Sequence, residues 1–486
     1  MKLLILFTFI SFLFATPCQE SKESWPTLAQ GRVKPLLVHA KESIKFITGK
    51  SRFNGQSASE VFCQLLFNPS FETSSSLPLL VEHIEVKKML GLAENESGLP
   101  AKSAIASKEL IAARARQIKQ TTALKKELEK VWSRIALYEA IINKEAMTVY
   151  QDGQWLKLSE VDAPESSFIS SKENFISSEG DSYLLELTFE RSHIFEIAML
   201  FALIGIFATV LFKSYTPGLV LGLLVVLVEL MGMIMRIMIS GRAPITNMYE
   251  TVMFSGLGAL VIGLILFIFK RDKVFILAGL GYNILCLFMM RFAGNMLDPS
   301  ISPLVPVLRD NFWLSTHVTT IILSYAALAL SWMLANIILF KNFRGTLSVK
   351  DYRYYEGLTH LAVKVGVVLL SAGIILGGVW ADYSWGRFWG WDPKETWSLI
   401  VLLFYIALLH GKYTNWISTH RFVLATAGGF MSVMMAWFGV NYILATGLHS
   451  YGFSEGGAIF LGSFFLIQTL LLVIFGFKFK QRVTPA

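Results

Sequence analysis

The sequence predicts an all-α polytopic membrane protein. It has about nine transmembrane helices, preceded by an exported, mainly helical soluble domain. Three observations carry the prediction. Of the 486 residues, 54% are hydrophobic and only 16% are charged, against about 25% charged in an ordinary soluble chain. The deficit is uneven: residues 17–193 read like a soluble protein, and from Ile194 onward long apolar segments alternate with short polar loops. The connections between those segments also alternate in positive charge.

The opening MKLLILFTFISFLFA has one lysine and then an apolar run too short for a comfortable span. Residues 1–16 therefore read as a signal peptide ending near Ala15, with a retained anchor as the other reading. Residues 17–193 form the expected exported domain. Within 105–145, Leu124, Leu128, Val131, Ile135, Tyr138 and Ile142 recur every three or four residues, which is a helical period. TVYQDGQWLKL predicts a hairpin, because Asp152-Gly153 suits a tight turn between β-rich runs. The region shows no catalytic constellation, so docking or scaffolding is its expected role.

The transmembrane domain, 194–486, contains nine apolar segments: 194–212, 217–239, 251–269, 274–290, 313–340, 359–380, 396–413, 422–446 and 455–477. About 20 apolar residues span a bilayer as a helix. Lys213, Lys270, Arg271, Lys273, Lys341, Arg344, Lys350, Arg353, Lys412, Arg421, Lys478, Lys480 and Arg482 all fall on one set of connections. The positive-inside rule assigns that set to the cytoplasm. The other set and residues 17–193 then face the periplasm, in agreement with an exporting signal. The formal charge of +8 is accounted for in the same way. No nucleic-acid-binding motif is present, and lipid is the expected surrounding.

Three cysteines, Cys18, Cys63 and Cys286, form no CxxC or CxxCH. That excludes a c-type cytochrome and a thioredoxin-like enzyme. Cys18 and Cys63 can pair on an oxidising side of the membrane.

The most informative stretch is WADYSWGRFWGWDPKETW, Trp380 to Trp397, between the sixth and seventh segments on the outer side. Trp380, Trp385, Trp389, Trp391 and Trp397 make five of the chain's twelve tryptophans. An interfacial belt would spread tryptophan over many helix ends. Concentrated in one loop, indole faces make a surface for a large, flat, apolar ligand, and indole N–H groups and Arg387 can meet its acid groups.

His317, early in the fifth segment, and His449, just after the eighth, lie at the depth of this loop. Two imidazoles facing a planar ligand can hold a six-coordinate haem iron. His410, inside the seventh segment, and His360, at the start of the sixth, lie nearer the cytoplasmic side, where a second haem between them is conceivable. Glu229 and Arg236, two turns apart on one face, need partners if buried. In SGRAPITNMYET, Arg242, Asn247, Tyr249 and Glu250 can form a polar rim or bond a haem propionate.

WGRFWGWDPKE, Trp385 to Glu395, resembles the tryptophan-rich WWD signature of haem-handling proteins in cytochrome c maturation. With GRAPITNMYE, GLHSYG and the two flanking histidines, residues 194–477 resemble the CcsA/ResC branch known as System II. The resemblance implies that the loop binds haem b for transfer and that His317 and His449 are its axial ligands. Trp385, Trp389, Trp391, Asp392, Arg387 and Arg242 are the other candidate haem contacts. It also implies that His410 takes part in an inner haem site. In fused relatives the partner histidine of that site lies in a CcsB/ResB portion, which this chain lacks. A separate subunit supplies it, His360 substitutes, or the inner site is lost. GRVKPLL is similar to extra N-terminal domains on some CcsA-like chains.

The function so implied is cytochrome c assembly at the inner (cytoplasmic) membrane. Haem would be presented at the outer face for thioether attachment to apocytochrome c CxxCH motifs, with a CcsB/ResB-type partner. The chain would then be the core of a holocytochrome c synthase. Two alternatives use the same residues: a haem exporter without ligation activity, and a b-type haem electron-transfer subunit.

Overall fold

The computed structural model describes residues 22–68, 77–119, 123–161, 164–294, 296–303, 310–444 and 457–479. The chain divides into two compact units, Met1–Ser192 and His193–Ala486.

Among its described residues the first unit is mainly helical, with four two-stranded antiparallel ladders. Its longest helix is Ala123–Ile142, and the periodic Leu128, Val131, Ile135 and Tyr138 are all essentially inaccessible to solvent. They pack on Ile44, Ile47, Phe62 and Leu66 in one core. Arg134 of the same helix is buried, but its guanidinium bonds the Phe46 and Leu80 carbonyls at 3.0 and 2.8 Å and faces Glu82 and Glu127. A buried charge is tolerable because each donor finds an acceptor. The predicted hairpin is present: Thr148–Gln151 pairs with Gln154–Lys157. Asp152 and Gly153 have φ of 50° and 80°, as a type I′ turn requires. Cys63 is disulfide-bonded.

Nine helices among the described residues are long and apolar enough to cross a membrane. They are Leu184–Leu211, Thr216–Ser240, Met248–Lys270, Val274–Phe292, Leu314–Phe343, Val349–Trp385, Pro393–Tyr413, Thr419–Leu444 and Gly457–Gly476, here called the first to ninth membrane helices. This is the polytopic all-α architecture that the hydropathy pattern predicts.

The sixth helix departs from the expected segment at both ends. It begins at Val349 rather than near 359, because Ser348 and Asp351 form a reciprocal capping box there. Lys350 and Arg353 are therefore helical, not loop. It runs on to Trp385 and stops at Gly386 in a left-handed conformation, φ 67°. The loop read as Trp380 to Trp397 thus shrinks to 386–392, with Trp380 and Trp385 on the sixth helix and Trp397 on the seventh.

The fifth and sixth helices pack closely along a stripe of glycines. A Cβ at Gly366 would lie 2.6 Å from Leu328, one at Gly373 2.7 Å from Ile321, and one at Gly377 2.5 Å from His317. Helix association in lipid depends on such close backbone approach, since burial from water drives nothing there. The buried charges in the second helix find partners, but not each other. Glu229 accepts from Asn283 Nδ2 at 2.7 Å. Arg236 bonds Glu250 at 2.7 Å and the Pro299 carbonyl at 3.1 Å, with the Tyr249 ring stacked on its guanidinium.

Candidate functional site

Two membrane helices contain π-helical turns. One is Leu314–Val318, which carries His317; the other is Met435–Leu444, which carries Trp437 and Asn441. A π-turn adds a residue to the helical repeat and redirects side chains, and such turns cluster at functional sites. His317 Nδ1 bonds the Gly373 carbonyl at 2.9 Å. A carbonyl only accepts, so Nδ1 carries the proton and Nε2 keeps the lone pair, the tautomer of an iron-binding imidazole. The ring leans on Trp380, centroids 5.7 Å apart. Trp380 in turn packs with Ile245 and Leu314.

These groups line a cavity of ≈ 190 Å³. The lining is largely apolar: Ile245, Ile321, Tyr325, Phe388 and Trp437 beside His317, Trp380 and Trp389. Its polar members are few, among them Asn247, Lys394, Ser398 and Asn441.

The 386–392 loop is held by its own carboxylates. Asp392 caps the seventh helix by accepting from Glu395 N at 3.0 Å. Glu395 reaches back to the backbone N–H of Gly390 and Asp392, at 2.6 and 3.3 Å, and to Arg387 at 3.1 Å. Arg387 also lies over the Trp385 ring. A side chain at Gly390 would overlap its guanidinium as placed. Gly378 similarly makes way for Phe388, whose Cζ lies 2.5 Å from where a Cβ would sit.

Of the residues singled out in the sequence, His317, Trp380, Trp389 and Asn247 line the cavity. Arg387 does not: it turns to Glu395 because that carboxylate folds back under the loop. Arg242 bonds the Ser302 carbonyl at 2.7 Å and Thr246 at 3.5 Å. Trp391 is 70% exposed and meets Trp389 edge-on. Its φ of 59° is a strained value for an aromatic residue. Of the proposed rim, Asn247 lines the cavity and caps the third helix, while Glu250 and Tyr249 serve Arg236. His449 lies outside the described residues.

At the end of the bundle that carries Lys412, His410 is exposed. His360 packs edge-on against Tyr413 and Phe422. The two histidines therefore occupy different surroundings, one exposed and one packed among aromatic rings.

Sequence reading missed Lys394, Trp437 and Asn441 as cavity residues. Asn441 carried a signal, being an amide inside an apolar segment. Lys394 carried another, a cation in the first turn of a helix. Trp437 carried none, since one tryptophan in a span reads as lipid-facing bulk.

The bundle and its cavity define a polytopic membrane protein with an aromatic, imidazole-bearing chamber at one end. The profile of the cytochrome C assembly protein family matches residues 245–449, a segment bounded by the cavity residue Ile245 and by His449. The cytochrome c biogenesis protein CcsA of Prochlorococcus marinus is 33% identical over 274 residues, 50% of this chain and 87% of that protein. CcsA of Guillardia theta is 34% identical over 239 residues, 44% and 78% of the two chains. Protein NrfI of Wolinella succinogenes is 35% identical over 243 residues, 48% of this chain, but the match covers only 26% of NrfI. The chain belongs to the CcsA family of cytochrome c biogenesis proteins.

Proposed function

We propose that this protein binds haem b as a substrate in the chamber beside His317 and presents it for thioether attachment to apocytochrome c. The observation that carries the reading is His317: its tautomer is set by Gly373, and it shares the chamber with Trp380 and Trp389. An apolar, aromatic enclosure with one lone-pair nitrogen fits an iron porphyrin. His449 is the proposed second axial ligand.

The reaction adds each cysteine S–H of a CxxCH motif across a vinyl C=C. A C–S bond forms and the thiol proton ends on the neighbouring carbon, so no net oxidation occurs. The nucleophiles belong to the apocytochrome. The chain's own task is to hold the macrocycle, exclude oxidants and leave a vinyl edge accessible. Exchange of His317 or His449 for the CxxCH histidine on iron would then release the product. Asp392 and Glu395 act as positioning residues, through the loop they tie down.

The rest of the proposal follows from orientation. The chamber and the 17–193 domain face the periplasm, in line with the positive-charge bias of the opposite connections and the disulfide at Cys63. His410, exposed on a membrane helix, is proposed to meet a CcsB/ResB-type subunit, because an ionisable group within lipid needs company. The electron-transfer alternative wants facing histidines within the bilayer, and the separate surroundings of His360 and His410 give it no support.

Co-expression with the partner subunit and a reporter apocytochrome tests the proposal. His317→Ala should abolish holocytochrome formation, and external imidazole should restore part of it. Full activity in His317→Ala would overturn the assignment, and haem release without thioether formation by the native protein would favour the exporter.

A further inference from the structure

The middle of the membrane bundle holds an acid that no cation among the described residues answers. Glu229 and Asn283 lie near the midpoints of the second and fourth membrane helices, Thr216–Ser240 and Val274–Phe292, and both are 0% exposed. At about 1.5 Å of rise per residue, Glu229 is roughly 15–20 Å from either end of its helix. Asn283 Nδ2 donates to Glu229 Oε1 across 2.7 Å. Glu229 Oε2 and Asn283 Oδ1, the second polar atoms of the same two groups, are buried and take part in no hydrogen bond.

An ionised carboxylate at this depth needs a cation or several donors. The groups on the helices packed against it supply neither. Arg236, two turns along the same helix, is engaged by Glu250 and the Pro299 carbonyl. Arg291, at the end of the fourth helix, pairs with Glu196 of the first. Ser255 of the third helix bonds Tyr282 of the fourth at 3.1 Å, and Cys286 is within hydrogen-bonding reach of Tyr282. These hydroxyls and the thiol therefore serve one another. The third helix comes close at Gly256, where a Cβ would lie 3.3 Å from Asn283 Nδ2 and 2.8 Å from Cys286 Cβ.

One proton answers both loose ends. On Glu229 Oε2 it removes the charge and turns that oxygen into a donor, and the acceptor left open on the partner side chain is Asn283 Oδ1. We propose that Glu229 and Asn283 form a proton-binding site in the bilayer interior, with Glu229 a neutral carboxylic acid joined to the amide by two reciprocal hydrogen bonds. The ligand is H⁺, taken from water: an O–H bond forms at Oε2 and the carboxylate charge is lost. The pair ties the second helix to the fourth without a charge in lipid, where polar contacts between helices replace the missing hydrophobic drive. The second helix also presents Arg236 to Glu250, which shapes the turn beside the chamber, so the proton site and that brace share one helix.

The test is infrared spectroscopy of the purified full-length protein in phospholipid at neutral pH, recorded in H₂O and in D₂O. The carbonyl stretch of a protonated acid stands apart from the stretches of a carboxylate and shifts on deuteration. Subtracting Glu229→Gln isolates Glu229, because every other acid is common to both proteins. Glutamine keeps one accepting oxygen and places an N–H donor where the acid has its O–H. The difference should contain a deuterium-sensitive protonated-acid band and no carboxylate bands. Carboxylate bands in the difference would overturn the proposal and point to an ionised acid offset by a bound cation or water. Asn283→Leu gives a second reading that does not depend on the first variant folding. Its protonated-acid band should move to higher frequency as the carbonyl loses the amide donor, and a band unmoved by that substitution would overturn the pairing.

Discussion

His317 Nδ1 donates to the main-chain carbonyl of Gly373 across 2.9 Å, and one turn further along the same helix Gly377 presses against the imidazole ring. The sixth helix thus aims the histidine twice, once by a hydrogen bond and once by the absence of a side chain.

Gly377→Ala separates helix stability from ligand placement. Alanine is the better helix former by about 1 kcal/mol, but its Cβ would sit 2.5 Å from His317 Cε1 and 3.0 Å from Nδ1. The imidazole has to swing away from the carbonyl. In stability the helix gain and the clash oppose each other, but the variant should bind haem at least about ten-fold more weakly. Unchanged affinity would show that His317 is not held as described.

Arg236 and Glu250 should behave as one unit. Both side chains are at most 2% exposed, and they meet at 2.7 Å. Glu250 also accepts from Thr246 N and Oγ1, both at 2.8 Å, and so shapes the 242–247 turn beside the chamber. Arg236→Met leaves a buried carboxylate uncompensated and should cost about 3–5 kcal/mol. The double variant Arg236→Met, Glu250→Gln should cost less than the sum of the singles. Thermal denaturation in detergent checks both.

Asp392 acts through helix capping rather than through its charge. Asp392→Ala should destabilise the protein by about 1 kcal/mol and weaken haem binding as the Glu395 tether loosens. Asp392→Asn, which keeps an accepting oxygen, should restore most of both. Haem affinity lost equally in Asn and Ala would instead require the carboxylate charge. Calorimetry with haem titration distinguishes the two.

The first unit should lose stability in mild acid through His39. This side chain is buried, its Nε2 bonding the Ala146 carbonyl at 2.8 Å, and burial lowers its pKa from 6.5 to about 4. Above pH 6.5 neither folded nor unfolded chain is protonated there. Between about 6.5 and 4 only the unfolded chain takes up the proton, so stability falls as pH falls. A shift from 6.5 to about 4 bounds the effect at roughly 3 kcal/mol. Glu42, pushed upward by burial, has the opposite sign, and its contribution declines as pH rises above 4.5. Hydrogen exchange around 36–48 in native protein and His39→Gln isolates the histidine: the variant should show the shallower slope between pH 6.5 and 4.

The bundle was readable in the sequence because lipid imposes a single constraint, roughly 20 apolar residues per crossing, that composition exposes directly. The helix at 123–142 and the Asp152-Gly153 hairpin were readable because periodicity and turn chemistry are local. What failed was also local, but depended on packing. Trp380 and Trp385 looked like loop residues because the apolar run gives way to Asp382, Tyr383 and Ser384, although the helix continues to Gly386. Arg387 looked like the chamber's cation because nothing in its neighbours shows that Glu395 folds back onto it. Lys394, three residues past Trp391, became visible as a lining residue only once the seventh helix was placed. Trp437 and Asn441 reach the chamber by a π-turn, which no sequence period announces. Glu229 and Arg236 share a helical face, yet the partners of each, Asn283 and Glu250, come from other helices.

The most direct test of the account is an absorption spectrum of the purified protein with haem, taken beside His317→Ala. The account predicts a low-spin, six-coordinate Soret and α/β pattern in the native protein, changed to a five-coordinate form in His317→Ala and returned by added imidazole. A spectrum identical in the two proteins would place the iron away from His317 and contradict the chamber as the haem site.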